Sequence, residues 1–356
     1  MLKIKNNKIL LFGYYGKSNI GDDIMLLNLV HLLEIRKPKK IIIIVDPSFN
    51  IENKFNKNII FIRGFKNNLP LVIYHIIMSQ IFIWGGGTCF FDNPSTRGLK
   101  ELYFFTRLRK LVSNNLKNYF IGIGVEKVSK SKSIIRKILN NTDGVVVRDS
   151  LSKKNLINLS PQILNNINFL EVYNDIVLTS FTKDIFETRT NTITSQKKYI
   201  TFSGHYKYSD NTNLIEHTSK QLELVMKRLG INHLIFLPSK FDKLGDNLFH
   251  YKLADILIKS QDLKIEVLEL KSIQDYFIVI KFSKYHIGMR LHSIILSDIF
   301  SIPKISLAYQ QKIYQYDSNA VDVHSNWSQI SFNKRDKEDM DKILKMNTYR
   351  YECFFK

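Results

Sequence analysis

The sequence predicts an α/β protein built from two doubly wound parallel sheets. Three observations predict this fold class. Short β-branched runs alternate with longer helical segments, the connections between them are short, and the alternation stops once, between residues 169 and 198, before it resumes. A chain of 356 residues is long enough for two domains of ordinary size, each with its own core.

The first series of strands and helices covers residues 1–185. The run from Ile41 to Val45 illustrates its predicted strands. All its residues are β-branched, which is typical of a parallel strand covered on both faces. The run from Ile24 to Leu33 is too long for a strand and predicts a helix, with Asp22 and Asp23 in its first turn, where the helix dipole favours carboxylates. The predicted strands are 8–12, 41–45, 59–62, 81–84, 119–123 and 144–147, and the predicted helices are 24–33, 69–78, 94–112, 131–139 and 149–159.

Residues 179–196 are polar and rich in Thr and Asn, which is typical of an interdomain linker. A second Rossmann-like domain is predicted over residues 186–330, followed by a helical tail over 331–356. Its predicted strands are 199–202, 233–237, 265–268, 285–288 and 304–308, and its predicted helices are 213–229, 247–259, 273–282 and one that starts near 291. Because open α/β sheets bind ligands at the carboxyl ends of their strands, we expect the two domains to face one cleft.

The chain is strongly basic, with 52 Lys and Arg against 32 Asp and Glu and a formal net charge of +20. This excess favours an anionic partner such as nucleic acid, a membrane face or phosphorylated substrates, but a generally basic surface explains it equally. Cys89 and Cys353 are too few for a disulfide framework and fit a reducing compartment. We expect no signal peptide, and the apolar window Leu69 to Trp84 is too interrupted for a membrane span. These features predict a cytoplasmic protein, with attachment to a membrane surface as an open alternative.

A strand-to-helix junction in the second series concentrates groups that bind anions. Gly288 ends a strand, and Arg290, His292 and Ser293 lie where the next helix begins. Free N–H groups and the positive end of the dipole already favour an anion at a helix start. Lys312 follows the next strand. A surface arginine and a core histidine would explain these residues separately, but their convergence favours an anion pocket.

Other loops after strands carry further candidates. Residues 13–23 form a glycine-punctuated loop without P-loop spacing, so close approach to a ligand and a tight turn capped by Asp22 both stay open. Gly85-Gly86-Gly87-Thr88 suits a backbone that passes close to a substrate. Arg148 and His205 also follow strands, and a surface ion pair and a structural imidazole explain them as readily.

Taken together, these motifs resemble the polysaccharide pyruvyl transferase family. The resemblance runs from about the first strand to Lys312 and depends on the order and spacing of Asn19-x-Gly21-Asp22, Gly85-Gly86-Gly87, Arg148-Asp149-x-x-Ser152, Gly288-x-Arg290-x-His292-Ser293, Pro303 and Tyr309-x-x-Lys312. It departs from the family at Gln310 and Gln311, where an acidic residue is expected. The resemblance implies the two-Rossmann-domain fold called GT-B. It also implies transfer of pyruvyl from phosphoenolpyruvate onto a sugar, which leaves a ketal and releases phosphate.

This implied chemistry assigns roles to the candidate residues. Phosphoenolpyruvate carries a phosphate and a carboxylate, and the predicted donor site consists of Gly288, Arg290, His292, Ser293, Lys312 and His205. The catalytic candidates are Arg290, His292 and Asp22. His292 would protonate the methylene carbon as general acid or bind phosphate as a cation, and the sequence leaves both open. Asp22 would serve as base for the sugar hydroxyl, with a helix cap as the alternative. The predicted acceptor side consists of Asn19, Gly21, Asp22, Gly86, Gly87, Thr88 and Arg148.

The resemblance implies no metal and no cofactor, with phosphoenolpyruvate as a co-substrate. The implied acceptor is a bacterial capsule or exopolysaccharide glycan or its lipid-linked precursor, and the positive charge would hold the enzyme near anionic lipids at the inner membrane face. The main alternative is a GT-B glycosyltransferase with a nucleotide-sugar donor, whose diphosphate also needs cations. A non-catalytic protein that binds nucleic acid or a membrane would cluster Lys and Arg with aromatics on one face, whereas here they are scattered along the sequence, so we expect no nucleic-acid partner.

Overall fold

The computed structural model describes residues 3–49, 55–92, 96–187, 198–242, 245–260, 262–270 and 272–355. The chain forms two compact units, of which the first consists of Met1–Lys17, Asp22–Phe181 and Lys345–Lys356. The second consists of Ser18–Gly21 and Thr182–Leu344. Each unit contains one parallel sheet covered by helices, which confirms the predicted fold class.

The first unit follows the predicted alternation of strands and helices. Its strands are β1 (Lys8–Phe12), β2 (Lys40–Val45), β3 (Ile59–Arg63), β4 (Ile81–Gly85), β5 (Thr88–Phe90), β6 (Lys117–Val125), β7 (Gly144–Val147) and β8 (Leu170–Val172). Its helices are α1 (Ile20–Glu34), whose first two residues belong to the second unit, α2 (Leu69–Met78), α3 (Arg97–Val112), α4 (Lys132–Leu139), α5 (Ser150–Leu159) and α6 (Ile163–Asn166). Helix α7 (Ser180–Glu187) continues into the second unit.

The sheet of the first unit has the order β3-β2-β1-β4-β6-β7-β8, and β5 pairs with the end of β6. Neighbouring strands are parallel throughout. The residues Ile41 to Val45 of β2 are all buried, as their continuous β-branched run predicts. Strand order reverses between β1 and β4, so the loops after these two strands flank the crevice where doubly wound sheets bind ligands.

The second unit repeats this architecture with shorter strands. Its strands are β9 (Ile200–Ser203), β10 (His233–Phe236), β11 (Lys264–Val267), β12 (Tyr285–Gly288), β13 (Lys304–Ala308) and β14 (Val321–Asp322). Its helices are α8 (Thr212–Leu229), α9 (Asn247–Leu257), α10 (Ile273–Lys281), α11 (Leu291–Ile299) and α12 (Gln311–Tyr316), with 3₁₀ turns at Tyr206–Tyr208 and Trp327–Gln329. The strand order β11-β10-β9-β12-β13-β14 is that of a Rossmann sheet, and it reverses between β9 and β12.

Two segments differ from the sequence prediction. Residues 180–187, predicted as part of a linker, form α7, while residues 188–197 lie outside the described residues. The predicted start of α3 at Pro94 also lies outside them, and the described helix begins at Arg97. Among the helices of the described ranges, none combines the length and apolar character needed to cross a membrane.

The helical tail forms α13 (Lys337–Phe354), and its last turns belong to the first unit. There Tyr351 is fully buried, and its hydroxyl donates to the carbonyl of Asn174 at 3.0 Å. The amide of Asn347 donates to the carbonyls of Asp175 and Leu178 at 3.1 and 2.9 Å. This end of the chain therefore completes the core and hydrogen bonding of the first unit.

Candidate functional site

The predicted donor residues of the second unit lie at the carboxyl ends of its strands. His205 follows β9, Arg290 follows β12 as the N-cap residue of α11, and Lys312 lies in the first turn of α12 after β13. The backbone N–H of Met289 donates to the carbonyl of Ser203 at 2.8 Å, which joins the loops after β9 and β12. The fold thus brings these residues to the topological switch point of the sheet.

The guanidinium of Arg290 is held by Asp246, which lies in the loop after β10. Its Nε lies 3.3 Å from Oδ2 of Asp246, whose side chain is fully buried. The same carboxylate accepts the backbone N–H groups of Ser239, Lys240 and Tyr206 at 3.0, 2.9 and 3.2 Å. Burial raises the pKa of Asp246, while Arg290 and the three N–H donors oppose that rise. Asp246 therefore fixes the guanidinium in one orientation.

His205 is a buried imidazole with one nitrogen already engaged. Its Nδ1 accepts the backbone N–H of Lys207 at 3.2 Å, so the neutral ring carries its proton on Nε2. The ring stacks on Tyr206 and contacts Tyr309, with centroid distances of 4.7 and 4.6 Å. These contacts hold the Nε2–H group in place as a neutral hydrogen-bond donor.

Positive charge converges on this imidazole from several loops. Burial, followed by the charges of Arg290, Lys312, Lys207 and Lys240 in that order, lowers the pKa of His205 to about 2. Arg290 and Lys312 were predicted from the sequence, whereas Lys207 and Lys240 were not. Several cations around a neutral donor favour the binding of a polyanion.

His292 lies in the first turn of α11 and is packed tightly against Gly21. A Cβ atom placed on Gly21 would lie 1.8 Å from Nδ1 of His292 and 2.4 Å from its Cγ. Only a hydrogen atom fits there, so the presence of glycine has a direct steric reason. The sequence placed Gly21 on the acceptor side and His292 on the donor side, and the structure brings them into contact.

Residues Ser18–Gly21 pack with the second unit, to which His292 also belongs. Asn19 forms an antiparallel bridge with Lys240, and the N–H of Ile20 donates to the carbonyl of Ser239 at 2.9 Å. The predicted acceptor residues Asn19 and Gly21 are thereby fixed beside the loop after β10.

Ser293 and Gly288, both predicted to bind the donor, are occupied in building the start of α11. The fully buried Ser293 hydroxyl donates to the carbonyl of Arg290 at 2.8 Å and accepts from Nε2 of His286 at 3.0 Å. Burial, followed by the charge of Lys304, lowers the pKa of His286 to about 3, so this ring is neutral. A Cβ on Gly288 would lie 2.6 Å from that nitrogen. Their geometry gives Ser293 and Gly288 a positioning role.

In the first unit, the triglycine loop passes directly over Asp22. Gly86 and Gly87 have left-handed φ angles of 71° and 73°, which favour glycine. A Cβ on Gly87 would lie 2.9 Å from Oδ1 of Asp22, whose side chain is 7% exposed. The loop after β4 therefore lies against a carboxylate in the first turn of α1.

Thr88 and Arg148 are also brought together. Nη2 of Arg148 donates to Oγ1 of Thr88 at 3.2 Å, and Nη1 lies 3.7 Å from Oδ2 of Asp175. Nε lies 3.6 Å from Oδ2 of Asp149, which also caps α5 by accepting the N–H of Ser152 at 2.6 Å. Arg148 is largely buried, so its ion pairs lie inside the unit and not at the surface, as the alternative explanation of this residue assumed. The guanidinium holds Thr88 in place.

Asp23 was not among the sequence-based site candidates, although it is adjacent to Asp22. Its Oδ1 accepts the backbone N–H of Gly16 at 2.7 Å, and the hydroxyl of Tyr15 donates to the carbonyl of Gly85 at 2.5 Å. Burial and the charge of Asp22, opposed by the hydrogen bond from the N–H of Gly16, raise the pKa of Asp23 to about 7. A carboxyl that titrates near neutrality thus ties the loop after β1 to α1.

Replacing Asp23 by asparagine is expected to flatten the pH dependence of stability. Folding raises the pKa of Asp23 from 3.8 to about 7, so the folded chain retains a proton that the unfolded chain loses as the pH rises between these values. Wild-type stability should fall across that window by up to about 4 kcal/mol relative to Asp23→Asn. Urea titrations across that window measure this difference. The exposed Asp255→Asn is the matched control, and parallel profiles for wild type and Asp23→Asn would refute the assignment.

The two parallel-sheet α/β units, with charged loops at the switch points, define a GT-B-like protein. Similar solved structures include a UDP-GlcNAc 2-epimerase from Methanocaldococcus jannaschii, with a TM-score of 0.58, 11% identity and coverage of 96% of this chain and 99% of that one. S. aureus MnaA in a co-structure with UDP has a TM-score of 0.55 and 13% identity, with 98% of both chains covered. An alpha-glucosyltransferase in complex with UDP and a 13-mer DNA has a TM-score of 0.54 and 8% identity, with 98% of this chain and 95% of that chain covered. Such low identities show a shared fold alone.

A comparison of the sequence with models of protein families assigns the family. The family model of polysaccharide pyruvyl transferase matches residues 19–311, which is most of the chain. The protein therefore belongs to the polysaccharide pyruvyl transferase family. A comparison with curated proteins found no match. Among the described residues, no cluster of His, Cys, Asp or Glu could hold a metal ion.

Proposed function

We propose that the protein transfers pyruvyl from phosphoenolpyruvate onto a sugar, forming a pyruvate ketal and releasing phosphate. The observation that carries this proposal is the group of cations around the neutral His205. Nζ of Lys240 lies 4.7 Å from the ring of Tyr206 and Nζ of Lys312 lies 6.0 Å from the ring of Tyr309, and both rings contact His205. The charges of Arg290, Lys312, Lys207 and Lys240 also lower the pKa of His205. Phosphoenolpyruvate bears a phosphate and a carboxylate on the same carbon, so it requires several cations within a small volume. Family membership supports the same reaction class.

Each donor-side group has a distinct chemical use. The fork of Arg290, oriented by Asp246, is suited to a planar carboxylate or to two phosphate oxygens. Lys312 and Lys240 act as point charges, and Nε2–H of His205 adds a directional hydrogen bond without adding charge. The positive end of the dipole of α11 adds to the attraction for an anion.

The reaction needs a proton donor and a proton acceptor. We assign His292 as the acid that protonates the methylene carbon, which leaves an oxocarbenium-like carbon for attack by a sugar hydroxyl. Asp22 is the assigned base for that hydroxyl. The second hydroxyl then displaces phosphate from the same carbon, and its proton leaves with the phosphate. The acid and the base exchange their protons with water between turnovers.

On the acceptor side, Asn19, Gly21, Gly86, Gly87, Thr88 and Arg148 are the proposed contacts. We propose a glycan of a bacterial capsule or exopolysaccharide, or its lipid-linked precursor, as the acceptor. A lipid-linked acceptor would place the enzyme in the cytoplasm at the inner face of the membrane, where a net charge of +20 favours contact with anionic lipids.

Glycosyl transfer from a nucleotide sugar is the second candidate, because the similar solved structures named above contain UDP in two cases. Calorimetric titration with phosphoenolpyruvate and with uridine and cytidine nucleotides distinguishes the two. We expect phosphoenolpyruvate to bind. The variant Lys312→Gln should lower the affinity for phosphoenolpyruvate about tenfold, because one charge-assisted contact is lost.

The matched control is Lys220→Gln, an exposed lysine of α8. Phosphate release together with a product heavier by one pyruvyl ketal would establish the reaction. Binding of a uridine nucleotide without binding of phosphoenolpyruvate, or turnover of a nucleotide sugar, would overturn the proposal.

A further inference from the structure

Helix α2 exposes an apolar surface that its own unit does not cover. Its sequence, Leu69 to Met78, contains no Asp, Glu, Lys or Arg. Only Val72 and Ile76 are buried, whereas Leu71, Tyr74 and Met78 are 45%, 51% and 43% exposed. Their spacing places these three side chains on one side of the helix. An uncharged helix with this much exposed apolar surface indicates a partner outside the unit.

The neighbouring helix α3 exposes a mixed stripe. Lys100, Phe104, Arg107 and Leu111 repeat at helical spacing on its outer side, and all are exposed. Phe104 is 51% and Leu111 is 66% exposed. Large apolar residues thus alternate with cations along one side of the helix, a pattern typical of helices that lie in a membrane interface.

The two helices are locked together by a buried arginine. Arg109 of α3 is fully buried, and its guanidinium donates to the carbonyls of Ile76 and Ser79 at the end of α2, the latter at 2.8 Å. It also donates to the side chain of Asn118 at 2.7 Å. Because Arg109 fixes α3 to α2, the exposed residues of the two helices form one preorganised surface.

This surface is also basic. Residues 63–112 contain seven Lys and Arg against two acidic residues. Of the seven, Arg109 is buried and Lys110 pairs with Asp143 at 2.8 Å, whereas Lys100 and Arg107 are exposed on the outer stripe. One of the acids, Glu101, is paired with Arg97 at 3.0 Å, and the other, Asp92, accepts backbone N–H groups of residues 129–131. Neither acid is therefore placed to neutralise the outer stripe.

We propose that the outer sides of α2 and α3 dock onto an anionic lipid bilayer. This α2–α3 face is defined by Leu71, Tyr74, Met78, Lys100, Phe104, Arg107 and Leu111. The apolar side chains would enter the headgroup boundary, and Lys100 and Arg107 would contact lipid phosphates. A second copy of the chain is disfavoured as the partner, since a symmetric contact would bring these cations against each other. The inference is independent of the proposed reaction, because it rests on the surface alone.

Sedimentation with vesicles tests the inference. We expect wild type to bind vesicles that contain phosphatidylglycerol and to bind weakly to pure phosphatidylcholine, with affinity falling as salt rises. The double variant Lys100→Gln with Arg107→Gln removes two positive charges and should weaken vesicle binding about 30-fold. Each cation near an anionic surface contributes about fivefold to the affinity. Leu111→Ser with Tyr74→Ser should weaken it at least tenfold.

Control variants remove exposed cations and an exposed apolar side chain outside the α2–α3 face. Lys220→Gln with Lys227→Gln alters two exposed cations of α8, and Ile258→Ser alters a side chain that is 61% exposed. Both controls should bind as wild type. Absence of vesicle binding, or equal losses in site and control variants, would overturn the proposal. The proposal would also be overturned if wild type sediments as a dimer and the variant Leu111→Ser with Tyr74→Ser sediments as a monomer.

Discussion

Replacing Arg290 by lysine is expected to lower kcat/KM for phosphoenolpyruvate by about 10²- to 10³-fold with little change in Tm. Lysine keeps a positive charge beside the buried Asp246, so the interior stays neutralised. It cannot reproduce the planar fork that Asp246 orients, with Nε 3.3 Å from the carboxylate. The loss should therefore appear in binding and turnover.

The alanine variant should behave differently. Arg290→Ala leaves Asp246 fully buried without its cation, which destabilises a protein by about 3–5 kcal/mol. The three backbone N–H donors to Asp246 would offset part of that cost. Assays of phosphate release and thermal melts of both variants separate the two effects. Arg228→Lys, on the exposed side of α8, is the matched control, and wild-type kcat/KM in Arg290→Lys would exclude Arg290 from the donor site.

Replacing Gly21 by alanine is expected to lower kcat by at least about 10²-fold, the usual contribution of a positioned general acid. The new Cβ would lie 1.8 Å from Nδ1 of His292, so the imidazole must leave its position. Gly98→Ala is the matched control, because a Cβ there meets nothing within 4 Å. In helix α3, that control should be neutral or slightly stabilising.

A double-mutant cycle tests whether the effect of Gly21 acts through His292. In His292→Ala the ring is absent, so adding Gly21→Ala should cost little more. If the losses in kcat from the two changes multiply in the double variant, Gly21 does not act through His292. The kinetic constants also separate the two roles of His292. A loss in kcat assigns it as the acid, whereas a higher KM at unchanged kcat assigns it as an anion ligand.

Strands buried on both faces could be predicted from the sequence because such burial leaves a continuous apolar run. The bounds of β1 and β7 agree residue for residue with the predicted ones. By contrast, β8 has three residues and β14 has two, which is too short for any periodicity to appear. Helix α7 was interpreted as linker because its composition is that of the polar segment around it.

The candidate site was predictable where a residue directly follows a strand, as Arg290 and His205 do. Asp246 was missed because it reaches Arg290 only through tertiary folding, from a loop well beyond the end of β10. Asp23 was missed because its importance depends on burial and on the N–H of Gly16. The positioning roles of Ser293 and Gly288 likewise depend on their contacts with the ring of His286. The spacing of the motif does not indicate these contacts.

The burial of Tyr351 in the first unit has a consequence for how the chain is made. The ribosome makes β1 to β8 early, but the carbonyls that accept hydrogen bonds from Asn347 and Tyr351 find these partners only after residues 182–344 have been made. The intervening segment Thr182–Leu344 is roughly 160 residues long, so the wait lasts on the order of 10 to 30 s at typical translation rates. The second unit can thus mature first, and the N-terminal unit closes its core only after residues 345–356 have been made.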